Sequence, residues 1–183
     1  MIKNFFGHLY TINKHRYWML YYSSQAGITD RGLLHDLSKF HPTEFFEGVK
    51  YYNGKRSPVE ISKEINGYSK AWLHHRGHNS HHYDYWQIDI DTGNKPICMP
   101  YKDTVEMLCD YLAAGRTYLG KDFTFQKELD WWTERVKRPI AMHPVQRHFI
   151  RIALTCMTAT NKMLGPADLK ILYKECYETY EKK

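Results

Sequence analysis

The chain has 183 residues, of which 43% are hydrophobic, 15% aromatic and 25% charged. This composition excludes a disordered or collagen-like chain and supports one compact domain over residues 1–183 with a sizeable core. A formal charge of +6 favours anionic partners such as nucleotides, phosphoesters or nucleic acid, without choosing among them.

Periodicity predicts an all-α fold. A first helix is expected over 9–25, carrying Tyr10, Ile12, Trp18, Leu20, Tyr21 and Tyr22 and ending near Gly27. Thr29-Asp30 caps a second helix, 31–40, which stops before Pro42. Pro42-Thr43-Glu44 opens a short third helix that ends around Tyr52, and 53–58 reads as a turn. Region 58–86 reads as helical, with weak points at Gly67 and Gly77, and 87–99 as a loop containing Asp89, Asp91 and Thr92-Gly93-Asn94. Pro100 sits at a helix start and opens 101–118, which closes at Gly120. Further amphipathic stretches follow, with Val145, Phe149, Ile152, Cys156 and Met163 at helical spacing. Gly165-Pro166 precedes a last helix, 167–181, with Leu169, Leu172, Tyr173 and Cys176 on one side, and Lys182 and Lys183 end a charged terminus.

No run of about 18 apolar residues is present, and the start lacks the pattern of a signal peptide. The expectation is a cytoplasmic protein with no membrane span. Cys98, Cys109, Cys156 and Cys176 are too dispersed for a zinc knuckle or a disulfide scaffold.

The chemistry concentrates in histidine and acid residues. Five of the 11 histidines, His74, His75, His78, His81 and His82, fall within nine residues. His35-Asp36 forms the centre of Leu34-His35-Asp36-Leu37-Ser38-Lys39-Phe40. On a helix, adjacent side chains diverge by about 100°, so both reach one cation only at the helix edge, with other helices supplying more ligands. Imidazole and carboxylate together suit Mn, Fe, Co, Ni or Zn, and tolerate harder ions such as Mg. His15 lies on the preceding helix, antiparallel across a short turn, with His8 as a rival on the same face. Asp110 sits in an apolar stripe beside Met107, Ala113 and Ala114, where an unpartnered charge costs several kcal/mol. A metal, Arg116 or Lys102 is its candidate partner.

A first His, then His-Asp with a hydrophobic residue and Lys, then a distant Asp, resembles the HD-domain superfamily of metal-dependent phosphohydrolases. His35-Asp36-Leu37-Ser38-Lys39 carries the likeness, with Ser38 where several members have Gly. The chain also resembles a family of small HD-like proteins across most of its length. The matching pieces are Pro42 with Glu44-Phe45, Trp72-Leu73-His74-His75 with Asn79 and His81-His82, and Met99-Pro100 with Glu106-Met107 and Cys109-Asp110. The resemblance implies a single-domain HD-like helical bundle with one or two divalent metal ions. It implies that His15, His35, Asp36 and Asp110 bind the first metal, and that Lys39 approaches the substrate phosphate.

It further implies that two more histidines serve a second metal. If 68–86 is one helix, Tyr68, Trp72, His75, Asn79, His82 and Trp86 share a stripe, which makes His75 and His82 the candidates and His74 and His81 the alternates. Glu44 and Glu106 are candidates for orienting water or acting as general base. Arg76, Lys55 or Arg56 would join Lys39 on the phosphate. Phe40, Phe45, Tyr51, Tyr52, Tyr83 and Tyr85 read as core or rim residues, with base stacking as a secondary role. Trp131-Trp132 with Arg135, Lys137 and Arg138 reads as a packed helix with a basic side. The expected function is hydrolysis of a small phosphorylated molecule, a nucleotide first among them, with self-association left open. The rivals are a di-iron oxygenase on the same scaffold and a non-catalytic basic module that binds nucleic acid.

Overall fold

The structure is a computed structural model and describes residues 1–87 and 95–181. Among them the fold is all-α: α1 (Ile2–Gln25), α2 (Thr29–Leu34), α3 (Pro42–Tyr51), α4 (Pro58–Asn66), α5 (Lys70–His78), α6 (Tyr101–Leu119), α7 (Phe125–Arg135), α8 (Pro144–Thr160) and α9 (Pro166–Tyr180). The described residues form no strand, only an isolated antiparallel bridge between Gln87 and Pro96. Much of the expected 87–99 loop, with Asp89, Asp91 and Thr92-Gly93-Asn94, lies outside the described residues, as do Lys182 and Lys183.

Two helices organise the molecule. On α1 the buried positions His8, Ile12, His15, Met19 and Tyr22 recur at i+4, i+7, i+11 and i+14, one continuous face. That face packs along α6, which is buried on every side from Asp103 to Asp110. The apolar side of α6 joins Met19, Tyr22, Phe149, Ile150 and Leu154 in the main core, while Asp103, Glu106 and Asp110 share another stripe at i, i+3 and i+7. A smaller cluster of Ile12, Phe45 and Val49 fixes α3 against α1. Helices α3, α4 and α5 pack together, as do α7, α8 and α9.

Two expected helices break, both at the chemistry. The helix expected over 31–40 ends at Leu34; His35 is extended (φ −55°, ψ 132°) and Asp36 is left-handed (φ 56°, ψ 26°). Asp tolerates that region better than most residues. The cause is tertiary: Arg16 on α1 donates to the carbonyls of Leu33 and His35, each at 3.0 Å, so these orphan groups are satisfied without a further turn. Leu37–Phe40 then resumes as a 3-10 turn. The region expected to be helical over 58–86 breaks at Gly67, a left-handed cap (φ 79°), and again after His78. There Asn79 Nδ2 donates to the carbonyl of His75 at 2.7 Å and stops α5. A single stripe from Tyr68 to Trp86 therefore does not exist, and Tyr83–Trp86 is a separate 3-10 turn. The first helix starts at Ile2 rather than at residue 9, and Pro100 caps α6 from just outside it.

Candidate metal centre

The breaks bring side chains from four elements around Asp36. Its carboxylate is 1% exposed. Oδ2 lies 3.2 Å from His35 Nε2, 3.5 Å from His15 Nε2 and 2.5 Å from Lys39 Nζ. Oδ1 lies 3.2 Å from His75 Nε2 and 3.5 Å from His81 Nε2. Asp110 Oδ1 completes the first side, 3.1 Å from His15 Nε2 and 3.4 Å from His35 Nε2. Ligating atoms of His15, His35, Asp36 and Asp110 all lie within 4.8 Å of one another. So do those of Asp36, His75, His81 and His82. Asp36 belongs to both groups, one oxygen facing each.

Outer carboxylates fix the imidazole orientations. Glu106 Oε1 lies 2.9 Å from His35 Nδ1 and 3.3 Å from His81 Nδ1. Glu44 Oε2 lies 2.7 Å from His75 Nδ1, and its Oε1 lies 2.6 Å from His74 Nδ1. An ionised carboxylate only accepts, so His35 and His75 carry a proton on Nδ1 and aim Nε2 inward. Each Nε2 then faces carboxylate acceptors: His35 Nε2 faces Asp36 Oδ2 at 3.2 Å and Asp110 Oδ1 at 3.4 Å, and His75 Nε2 faces Asp36 Oδ1 at 3.2 Å. Acceptors pointed at one another need a cation or an added proton between them. Both oxygens of Asp36 and the Nε2 atoms of His81 and His82 are buried without a well-directed hydrogen bond among the described residues. This donor set fits a divalent metal.

Without a metal, protons serve instead. Burial opposes charge on His35 and His75, yet Asp36 outweighs it, raising His35 well above its usual pKa and His75 to about 9. Burial also opposes ionisation of Asp36 and Asp110, but His35 beside Asp36 and hydrogen bonds from His15 and His35 to Asp110 hold both well below the carboxylate range. Glu106 is likewise desolvated, and hydrogen bonds from His35 and His81 keep its pKa down at about 2. His81 and His82 are pushed down, first by burial and then by neighbouring imidazoles, which leaves them neutral and ready to bind.

The structure brings together all six residues expected to bind metal: His15, His35, Asp36, Asp110, His75 and His82. It adds His81, expected only as an alternate to His82. His74 is turned away, held by Glu44 and stacked on His41 and His78 at 4.3 and 4.2 Å. His8 packs against Phe45 and Gly48, away from the centre. Glu44 and Glu106, the candidates for orienting water or acting as general base, lie against histidine Nδ1 atoms of the centre. Arg116 and Lys102 do not partner Asp110: Arg116 lies over Trp18 and Phe123, and Lys102 lies near Asp30. Arg31 escaped the sequence reading altogether. It pairs with Glu106 and with Asp103 and relieves the repulsion along the acidic stripe of α6.

The centre opens on two cavities. One, of about 320 Å³, is polar and reached past Arg31, Asn79, Ser80 and Lys102. The other, of about 430 Å³, meets the centre at His82 and is walled by aromatic rings including Trp72, Tyr83, Tyr111 and Trp131. Lys55 and Arg56 line this second cavity. Trp132 is packed in the core, as expected, whereas Trp131 is 43% exposed.

Fold and site define an all-α protein whose buried His, Asp and Glu clusters can hold a metal ion. Residues 4–156 match a family of unknown function, DUF5662, and the chain belongs to that family. No curated protein and no solved structure matches it. No helix among the described residues is long and apolar enough to cross a membrane.

Proposed function

We propose that the protein is a metal-dependent phosphohydrolase of the HD type, acting on a small phosphorylated molecule. The observation that carries this reading is Asp36, whose two buried oxygens each face a separate set of inward-aimed imidazoles. His15, His35, Asp36 and Asp110 would hold one divalent ion, and Asp36, His75, His81 and His82 a second. Metal bound there supplies Lewis acidity, which lowers the pKa of bound water and polarises a phosphoryl group.

The chain's own residues do the rest. Glu106 and Glu44 lock His35 and His75 in one tautomer and orientation. The Lys39 side chain, 31% exposed at the edge of the cluster, would offer its ammonium as a donor for a phosphate oxygen. Burial of His35, Asp36 and Asp110 keeps bulk water from competing for the ligand atoms. Elemental analysis followed by a phosphoester panel with each divalent metal tests the reading. It predicts bound metal, phosphate release that stops on adding a chelator, and loss of both in His35→Ala and Asp36→Ala. Hydrolysis that survives chelation and both substitutions overturns it. Oxygen uptake by an iron-loaded protein that releases no phosphate overturns it in favour of oxygenase chemistry.

A further inference from the structure

The cavity on the His82 side holds a feature that metal chemistry leaves unused. Glu128, on α7, lines it and is only 4% exposed. Its carboxyl group rests on the bare face of Gly115, where any Cβ would overlap Glu128 Oε2. Among the described residues it forms neither a hydrogen bond nor an ion pair. Burial, and then the charge of Asp110, push its pKa up to about 8. An unpartnered buried carboxyl group destabilises a fold, and the groups that persist in this state cluster at functional sites.

The walls describe what would meet it. Trp131 and Tyr111 lie together with ring centroids 5.3 Å apart, and Trp72 stands edge-on to His82 at 4.9 Å. The cavity is therefore lined by a histidine of the centre, by flat aromatic faces and by the buried Glu128 carboxyl group, with Glu60 and Asp84 also on its wall. Its volume of about 430 Å³ falls within the usual range for small-ligand sites. Lys55 and Arg56 supply positive charge beside it. A ligand matched to this chamber is flat, stacks on aromatic rings and presents adjacent N–H donors to an oxygen pair. Two N–H donors side by side satisfy both oxygens of a carboxylate and favour its ionised form.

We propose that this cavity binds the base of a guanine nucleotide, with Glu128 accepting hydrogen bonds from the ring N–H and the adjacent amino group. This names the substrate class for the phosphohydrolase reading and rests on it only for placing the phosphate at the metal centre. Glu128 is thus a specificity residue that belongs to neither ligand group of the centre. Adenine presents a ring acceptor instead of a donor on the corresponding edge, and hypoxanthine lacks the amino group.

The test uses nucleosides, which contain no phosphoester, so it is separate from catalysis. Binding of guanosine, inosine and adenosine to the full chain is measured by calorimetry, with and without Mn²⁺. The wild type is expected to bind guanosine at least ~10-fold tighter than inosine or adenosine, because each rival leaves a hydrogen-bonding group unmatched. Glu128→Gln keeps the shape but offers one acceptor and one donor, so the preference should fall to within ~2-fold while Mn²⁺ uptake is unchanged. Equal binding of the three nucleosides, no binding of any, or a preference that survives in Glu128→Gln overturns the inference. A guanosine preference in protein that takes up no Mn²⁺ supports this inference while striking down the hydrolase reading.

Discussion

Glu44→Gln separates the two halves of the centre. Glu44 is 5% exposed and serves His75 Nδ1 at 2.7 Å and His74 Nδ1 at 2.6 Å. Glutamine keeps the shape and one neutral acceptor, but it loses the charge and cannot accept from both rings. A hydrogen bond to a charged partner contributes ~1.5–3 kcal/mol. With tenfold in affinity per ~1.4 kcal/mol, the loss corresponds to ~10–100-fold, the range found when the outer carboxylate of a metal-bound histidine is removed. Glu106, which supports His35, is untouched, so the first group of ligands keeps its geometry. Calorimetric titration with Mn²⁺ should show two steps in the wild type. In Glu44→Gln the step at Asp36, His75, His81 and His82 should weaken ~10–100-fold, while the step at His15, His35, Asp36 and Asp110 shifts by less than ~3-fold. Two unchanged steps, or an equal fall in both, would refute the division of labour between the glutamates.

Other consequences are equally open to measurement. Asp36→Asn should abolish both metal-binding steps; asparagine tolerates the left-handed backbone at this position, so the lost charge is the cause. The metal-free variant should also lose ~3–5 kcal/mol in urea unfolding, since Lys39 and the protonated His35 and His75 are left without their counter-charge; undiminished stability would contradict this. At Gly32 a Cβ would overlap Ser23 Oγ. Gly32→Ala should therefore lower stability by ~1–3 kcal/mol in thermal unfolding and loosen α2, which leads into His35; a variant with unchanged Tm would show that α1 and α2 are not packed as described. The carboxyl of Glu128, with its pKa raised by burial to about 8, binds a proton in the folded chain that the unfolded chain has released. Its penalty is absent below about pH 4.5, grows as pH rises and levels off near pH 8. Glu128→Gln should match wild-type stability near pH 4.5 and exceed it by ~3–5 kcal/mol at pH 8 in paired urea titrations; a pH-independent difference would show that this group is ionised in the fold.

How much of this was legible in the sequence follows from the range of the forces involved. The helix positions of His15 and Asp110 were readable because each sits in an apolar stripe of local period. The stop at Pro42 and the start of α3 were readable because proline acts on its own neighbours. The break at His35-Asp36 was not, because Arg16, a side chain on another helix, satisfies the carbonyls that another turn would have used. Reading on through that break kept His35 and Asp36 on one helix, about 100° apart, whereas the left-handed Asp36 turns one oxygen to each ligand group. The end of α5 was misplaced for a related reason: Asn79 caps the carbonyl of His75, and that separated His81 from the stripe argument that favoured His82. A cap of this kind is a local signal, and asparagine just after the Arg76-Gly77-His78 run could have revealed it. The tasks of Glu44 and Glu106 had no such signal, since their histidine partners lie as far as 71 residues away in the chain. Glu128 stands in no motif; only burial against Gly115 and the absence of a partner single it out.

The proposed centre depends on one carboxylate, Asp36, shared between two sets of imidazoles. Anomalous diffraction from crystals soaked in Mn²⁺ measures this directly. Two peaks are predicted, one among His15, His35, Asp36 and Asp110 and the other among Asp36, His75, His81 and His82, with one Asp36 oxygen ligating each. Peaks that leave Asp36 without a metal, or a fully soaked crystal whose only peaks lie elsewhere, would contradict it.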